Sequence, residues 1–259
     1  MEPINFEIKK EKETQDLGRF VVEPLPAGYG MTLGTALRRT LLSSLPGGAI
    51  AEVRIQGVAH PFTTLKGVKE DVVEIIMNLK KVRFSPRGEG PYEATLEAKG
   101  KKTVTAKDIQ ISSEAQVANP ELKIATLTDK DAKIALTLLV EKGTGYRSAE
   151  ERGGGKVGVI PMDSIFSPVV KVGYWVEGTR VGRKTNFERL ILEVATDGTL
   201  KPSEAISSAA EILKDCFGRL VVSRAPAKPV AEPEVKKEKK AAKKAPKKEP
   251  KKRSSSRKK

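Results

Sequence analysis

The run Gly28-Tyr-Gly-Met-Thr-Leu-Gly-Thr-Ala-Leu-Arg-Arg-Thr-Leu-Leu-Ser-Ser-Leu-Pro-Gly-Gly48 constrains the fold more than any other part of the chain. Thr32 suits a helix N-cap, and Pro46-Gly47-Gly48 cannot continue a helix, so the spacing predicts about three turns starting at Leu33. At 100° per residue Leu33, Ala36, Leu37 and Leu41 share one face, while Leu42 points to the other side between Arg38 and Arg39. A surface helix buries one stripe. A second apolar point flanked by two arginines is therefore either a solitary exposed leucine or a contact with another chain.

Charge is placed unevenly along the 259 residues. From Arg224 to the end there are 16 Lys and Arg against 4 Asp and Glu, whereas residues 1–223 carry 32 against 29. The basic character belongs to the tail, and the rest of the chain reads as nearly neutral rather than as a nucleic-acid-binding body. The tail is built of Lys, Ala and Pro with almost no apolar side chains, so it should be disordered. Its clustered cations at Lys247, Lys248, Lys251, Lys252 and Arg253 suit a sequence-blind contact with phosphates. Cys216 is the only cysteine and His60 the only histidine, which leaves neither an internal disulfide nor a zinc set and points to a reducing compartment. No apolar run approaches the roughly 18 residues of a membrane span, and the first residues are of mixed charge rather than a leader, so the expected location is cytoplasmic.

Ile4, Phe6 and Ile8 could add an edge strand, and Arg19–Glu23 reads as a strand closed by Pro24 and Pro26. Ala49–Ile55 alternates as a half-buried strand should. From Val58 the chain enters a second unit. Leu65, Val68, Val72, Ile75, Ile76 and Leu79 recur at helical spacing, with Lys66, Lys69, Glu70 and Glu74 on the solvent side. Tyr92–Lys99 alternates strictly, and further strands are expected at 103–106, 122–127 and 133–140. Residues 141–158 are polar and glycine-rich without periodicity, which suits a mobile or partner-facing loop. Strand signals return at 169–176 and 187–194. Pro202 then opens a helix that runs to Leu220. Ile206, Ala209, Leu213, Cys216 and Leu220 follow a three-four repeat, the seam of a helix packed lengthwise on another, and Ala205, Ile212 and Phe217 broaden it. Spacing alone does not say whether this seam closes its own core or pairs two chains.

No reaction centre emerges. Glu70, Asp71 and Glu74, or Glu150 and Glu151, are the nearest approach to the clustered carboxylates that nucleotidyl transfer by metal ions requires, and they read as solvated charge. Gly153-Gly-Gly-Lys-Val lacks the Ser or Thr of a phosphate loop, and Gly28-x-Gly30 is only a fragment of a dinucleotide fingerprint. No cofactor and no metal are expected.

The 28–48 run resembles the Gly-x-Gly-x-Thr-Leu-Gly-x-Ala-Leu-Arg-Arg-x-Leu-Leu-Ser-Ser segment of bacterial RNA polymerase alpha subunits. Gly57-Val-x-His60, Gly67-Val-x-Glu70-Asp71, Asn78-Leu79-Lys80 and Asp197-Gly-Thr extend the similarity over about residues 18–220. The resemblance implies an α+β fold of two domains. A discontinuous dimerisation domain, 1–51 plus 169–223, would carry an inserted, mostly β domain, 52–168, with 224–259 as the disordered tail. It implies a homodimer whose first and last helices meet their symmetry mates through Leu33, Leu37, Leu41, Ile206, Ala209, Leu213, Cys216, Phe217 and Leu220. Arg38, Arg39 and Leu42 would dock the beta subunit, with beta-prime, omega and a sigma factor completing the complex and no catalytic group on this chain. Met31 and Thr35 depart from the His and Asn common in that family. So does the tail, where most relatives continue into a DNA-contacting C-terminal domain; promoter DNA would then be met only through the tail's cations. A histone-like protein acting through the basic tail and a small-molecule enzyme with its site in 141–168 are the rival readings.

Overall fold

The computed structural model describes residues 5–153, 158–182 and 184–220. The tail cations from Lys247 to Arg253, and most of the Gly153-Gly-Gly-Lys-Val run, lie outside them. In chain order the elements are β1 (Glu7–Glu13), β2 (Leu17–Pro26), α1 (Tyr29–Ser43), β3 (Pro46–Ile55), α2 (Val72–Leu79), β4 (Phe84–Pro86), β5 (Tyr92–Lys99), β6 (Thr103–Thr105), β7 (Ile109–Ile111) and β8 (Ala115–Val117). There follow β9 (Lys123–Thr126), β10 (Lys133–Thr144), β11 (Tyr146–Arg147), β12 (Ile160–Pro161), β13 (Ser164–Ile165), β14 (Val169–Val181), β15 (Lys184–Thr196) and α3 (Pro202–Leu220). Short 3-10 turns lie at Ala106–Asp108 and Glu150–Arg152. The fold is α+β.

Two sheets divide the strands. The first is antiparallel in the order β1-β2-β15-β14, and so draws on both ends of the folded chain. Its inner face presents Phe20, Val22, Val172, Leu190, Leu192 and Val194 to α1 and α3. The second runs β7-β5-β10-β3-β4-β8, with β12 paired to β3. Its core is built by alternation: along β5 Tyr92, Ala94, Leu96 and Ala98 are buried and every intervening residue is exposed. Opposite them on β10 lie Ile134, Leu136, Leu138 and Val140, and α2 adds Val72, Ile75 and Leu79. β3 spans Pro46–Ile55, and its register against β10 shifts at Ala51, between the pairs Glu52–Leu139 and Ile50–Val140.

Three local expectations change. The helix predicted from Leu65 begins only at Val72, capped by Asp71, whose carboxylate accepts from the Glu74 amide at 2.6 Å. Upstream of it Gly67 sits at φ +77°, a left-handed conformation that interrupts any helix. The turn this creates swings Glu70 inward, to 4% exposure, instead of leaving it solvated. Residues 141–153 are tied down rather than loose. Within them the Arg152 side chain is buried, donating to Glu141 at 2.8 Å and to Ser164 at 2.8 Å, and Ser164 in turn donates to the Ile50 carbonyl.

Candidate functional site: the α1–α3 surface

The seat of α1 explains its sequence. Gly30 and Gly34 face the sheet, and a Cβ on Gly34 would lie 2.6 Å from the Tyr174 ring while one on Gly30 would lie 2.7 Å from Val176. Only glycine at both positions lets the helix axis approach β14 so closely. One and two turns on, the same face is fastened by polar groups. The Tyr174 hydroxyl bonds Thr35 Oγ1 at 2.9 Å and donates to Met31 Sδ at 3.2 Å, and Arg38 Nη1 donates to the Val172 carbonyl.

Both helices are capped by glutamates from strands. The Thr32 cap expected from sequence is not made: Thr32 lies in the first turn, its hydroxyl donating to the Gly28 carbonyl. The helix starts at Tyr29 instead, because Glu188 of β15 accepts from the amides of Gly28 at 2.8 Å and Gly30 at 2.9 Å. Glu13 of β1 accepts from Ser203 at the start of α3, at 2.9 Å. Lys10, first, and then Ser203 hold the Glu13 carboxyl down at about 2.

Against this frame the expected interface residues separate into two groups. Leu41 and Ala209 are completely buried within one chain and Ile206 nearly so, and Leu33 and Leu37 are half-buried against the same cores. Leu41, Ile206 and Ala209 therefore belong to the protomer's own interior, correcting the assignment of these three to a surface between chains. Leu213 is half-buried, while Cys216 is exposed, Phe217 is 58% exposed and Leu220 is 72% exposed. The seam of α3 starts in the core and ends uncovered. On α1, Leu42 is half-buried and packs against the α1–α3 core, as Leu37 does. The arginine pair also splits. Arg38 is fastened to β14, and Arg39 is exposed and makes no side-chain hydrogen bond or ion pair among the described residues.

Glu188, Tyr174 and Glu13 were missed in the sequence because their partners lie far along the chain and no local spacing marks them. Glu70 was missed for a different reason, the turn at Gly67. It accepts from the Thr126 amide at 2.6 Å and hydroxyl at 3.0 Å and pairs with Lys123 at 2.8 Å. Burial alone would raise its carboxyl, but Lys123 and the Thr126 donors outweigh burial and hold it below the usual carboxylate range. This is a structural ion pair joining the α2 cap to β9. Among the described residues no group of His, Cys, Asp and Glu is arranged to hold a metal ion, and no helix is long and apolar enough to cross a membrane.

The comparisons with known proteins give first the class. Residues 53–167 match the family model described as the RNA polymerase Rpb3/RpoA insert domain, which covers the seven-stranded sheet beyond the start of β3. Relatives extend the match well beyond those residues. A DNA-directed RNA polymerase subunit alpha from Alkaliphilus metalliredigens is 48% identical over 217 residues, 83% of this chain and 69% of the relative. Those from Desulforudis audaxviator and Roseiflexus castenholzii are 51% and 47% identical, covering 75% and 77% of this chain and 62% of each relative. The chain belongs to the family of bacterial DNA-directed RNA polymerase alpha subunits.

Proposed function

We propose that the chain is the assembly platform of a DNA-directed RNA polymerase: two copies pair and then hold the large beta and beta-prime subunits, with omega and a sigma factor joining in the cytoplasm. It contributes no catalytic group. The observation that carries the reading is the uncovered end of α3. Cys216, Phe217 and Leu220 continue an apolar seam past the point where the protomer's own sheet and α1 can cover it. A second copy laid along the same seam would cover them, each residue being used twice about a two-fold axis. Obligate interfaces of this kind bury about 2,000 Å2 or more and are largely apolar. In this reading the four-stranded sheet with α1 and α3 forms the pairing domain, and the seven-stranded sheet is the inserted one.

Docking of the beta subunit falls to Arg39. Its guanidinium has no partner among the described residues and offers five donors in a planar fork suited to a carboxylate on a partner. Arg38, by contrast, serves to hold α1 at the angle from which Arg39 projects. Arg39→Ala should leave the dimer intact in sedimentation and abolish pull-down of co-expressed beta subunit. Normal recovery of beta by that variant would refute the docking role, and a wild-type chain that sediments as a monomer at micromolar concentration would refute the platform.

A further inference from the structure

The near-neutral charge of residues 1–223 conceals a segregation that only the fold reveals. Three loops meet at one end of the seven-stranded sheet. Lys99 and Lys133 are cross-strand partners on β5 and β10, and the Gly100 amide donates to the Ala132 carbonyl at 3.0 Å. The 66–69 turn joins them, with the Thr128 amide donating to the Gly67 carbonyl at 2.8 Å and the Lys69 amide to the Thr126 carbonyl at 3.0 Å. The three loops hold Lys66, Lys69, Lys99, Lys101, Lys102, Lys130 and Lys133 against Asp129 and Asp131, a formal charge of +5, while all of residues 1–223 sum to +3. All seven lysines are exposed, and only Lys102 has an acidic partner among the described residues, Asp108 at 2.9 Å.

Two features argue that this end meets an anion. Like charges directly opposite on neighbouring strands, as at Lys99 and Lys133, are destabilising in the free protein. The residues are also all of one cationic kind: these loops contain neither arginine nor an aromatic side chain. Protein interfaces are depleted in lysine and enriched in arginine and aromatics, which disfavours an acidic protein as the occupant. Single-stranded nucleic acid is gripped by stacking on aromatic rings, which disfavours an unpaired strand. Compact ammonium charges on flexible stems suit a phosphate backbone contacted without base readout.

We propose that this lysine tip of the inserted sheet is a sequence-blind contact for the phosphate backbone of duplex nucleic acid. The inference needs neither the dimer nor the docking of the large subunits and is separate from the cations of the tail. Its test uses the full chain and a 30-base-pair duplex of arbitrary sequence, with affinity followed from 50 to 200 mM salt. In the variant Lys99→Gln, Lys101→Gln, Lys130→Gln, Lys133→Gln, four phosphate contacts are lost. The log–log salt slope should fall by about 3.6, so that the wild type loses roughly 150-fold more affinity than the variant across that range. A charge-matched control, Lys12→Gln, Lys81→Gln, Lys171→Gln, Lys184→Gln, should keep the wild-type slope. In the unaltered chain, the duplex should protect Lys99, Lys101, Lys130 and Lys133 from acetylation more than those control lysines, a readout that requires no variant to fold. Equal slopes for the two variants, or no protection at the tip, would overturn the proposal. Stronger protection by polyglutamate than by duplex would overturn it in favour of an acidic protein partner.

Discussion

Phe217→Ala isolates the pairing surface from the fold. Phe217 keeps 58% of its surface exposed in the protomer, so the substitution removes little that the single chain uses. Fully burying a phenylalanine is worth roughly 2.5 kcal/mol, and the share still available for a partner is therefore about 1.5 kcal/mol. A two-fold contact loses it twice, about 3 kcal/mol per dimer, which at 1.4 kcal/mol per decade weakens the dimer roughly 150-fold. A dilution series in the analytical ultracentrifuge reads the shift directly. Cys216, the neighbouring residue and the sole cysteine, supplies a second readout: its alkylation should be slow in the wild-type dimer and faster in the variant at the same concentration. The position is better than Leu213, where an introduced aspartate would also strip α3 from its half-buried seat. An unchanged dissociation constant, in a variant with unchanged melting temperature, would refute the reasoning.

Two further outcomes test how the frame is built. Gly34→Ala brings a methyl group to 2.6 Å from the Tyr174 ring and should destabilise the protein by about 1–3 kcal/mol, read by denaturant midpoint. An unaffected midpoint would show that α1 does not sit so close. Glu70→Gln removes the charge that Lys123 and the Thr126 amide stabilise and should cost about 1–3 kcal/mol at pH 7. Because the carboxyl is held below its ordinary 4.5, its contribution is complete above that pH and lost as the pH falls through the lower folded value. Wild type and variant should therefore converge below pH 4.5, and a gap that stayed constant into acid would exclude the ion pair as its source.

What could be read from the sequence was whatever is settled by neighbours along the chain. β5 alternates over its whole length because one face is core and the other water, and α3 opens at Pro202, where a proline suits a first helical residue. That Arg38 and Arg39 behave differently was not legible, since only the fold brings the Val172 carbonyl within reach of Arg38. The remainder was decided at a distance. Thr32 is a good cap in isolation, but a carboxylate from β15 reaches the amides one turn earlier. Leu65 and Val68 fit a helical stripe, yet Gly67 turns the chain and Val68 bridges to Leu127 instead. The α3 seam could not be apportioned between core and partner because its spacing is identical in both; only the extent of the sheet beneath it decides where one ends. The lysine tip was invisible for a related reason, since a summed charge carries no information about which loops meet.

The carboxylate that closes the first helix stands 160 residues downstream of the amide it receives. At about 5–20 residues per second a ribosome needs roughly 8–30 s to deliver it, and strands β14 and β15 arrive over the same interval. The seven-stranded sheet, encoded wholly within residues 46–161, can close in the meantime. Translation order thus makes the inserted body the early-folding part and leaves α1 waiting for the last strands, with α3 emerging after them. Any surface built from seated α1 and α3 therefore exists only once β15 and α3 have been synthesised, and a product truncated before them would present neither.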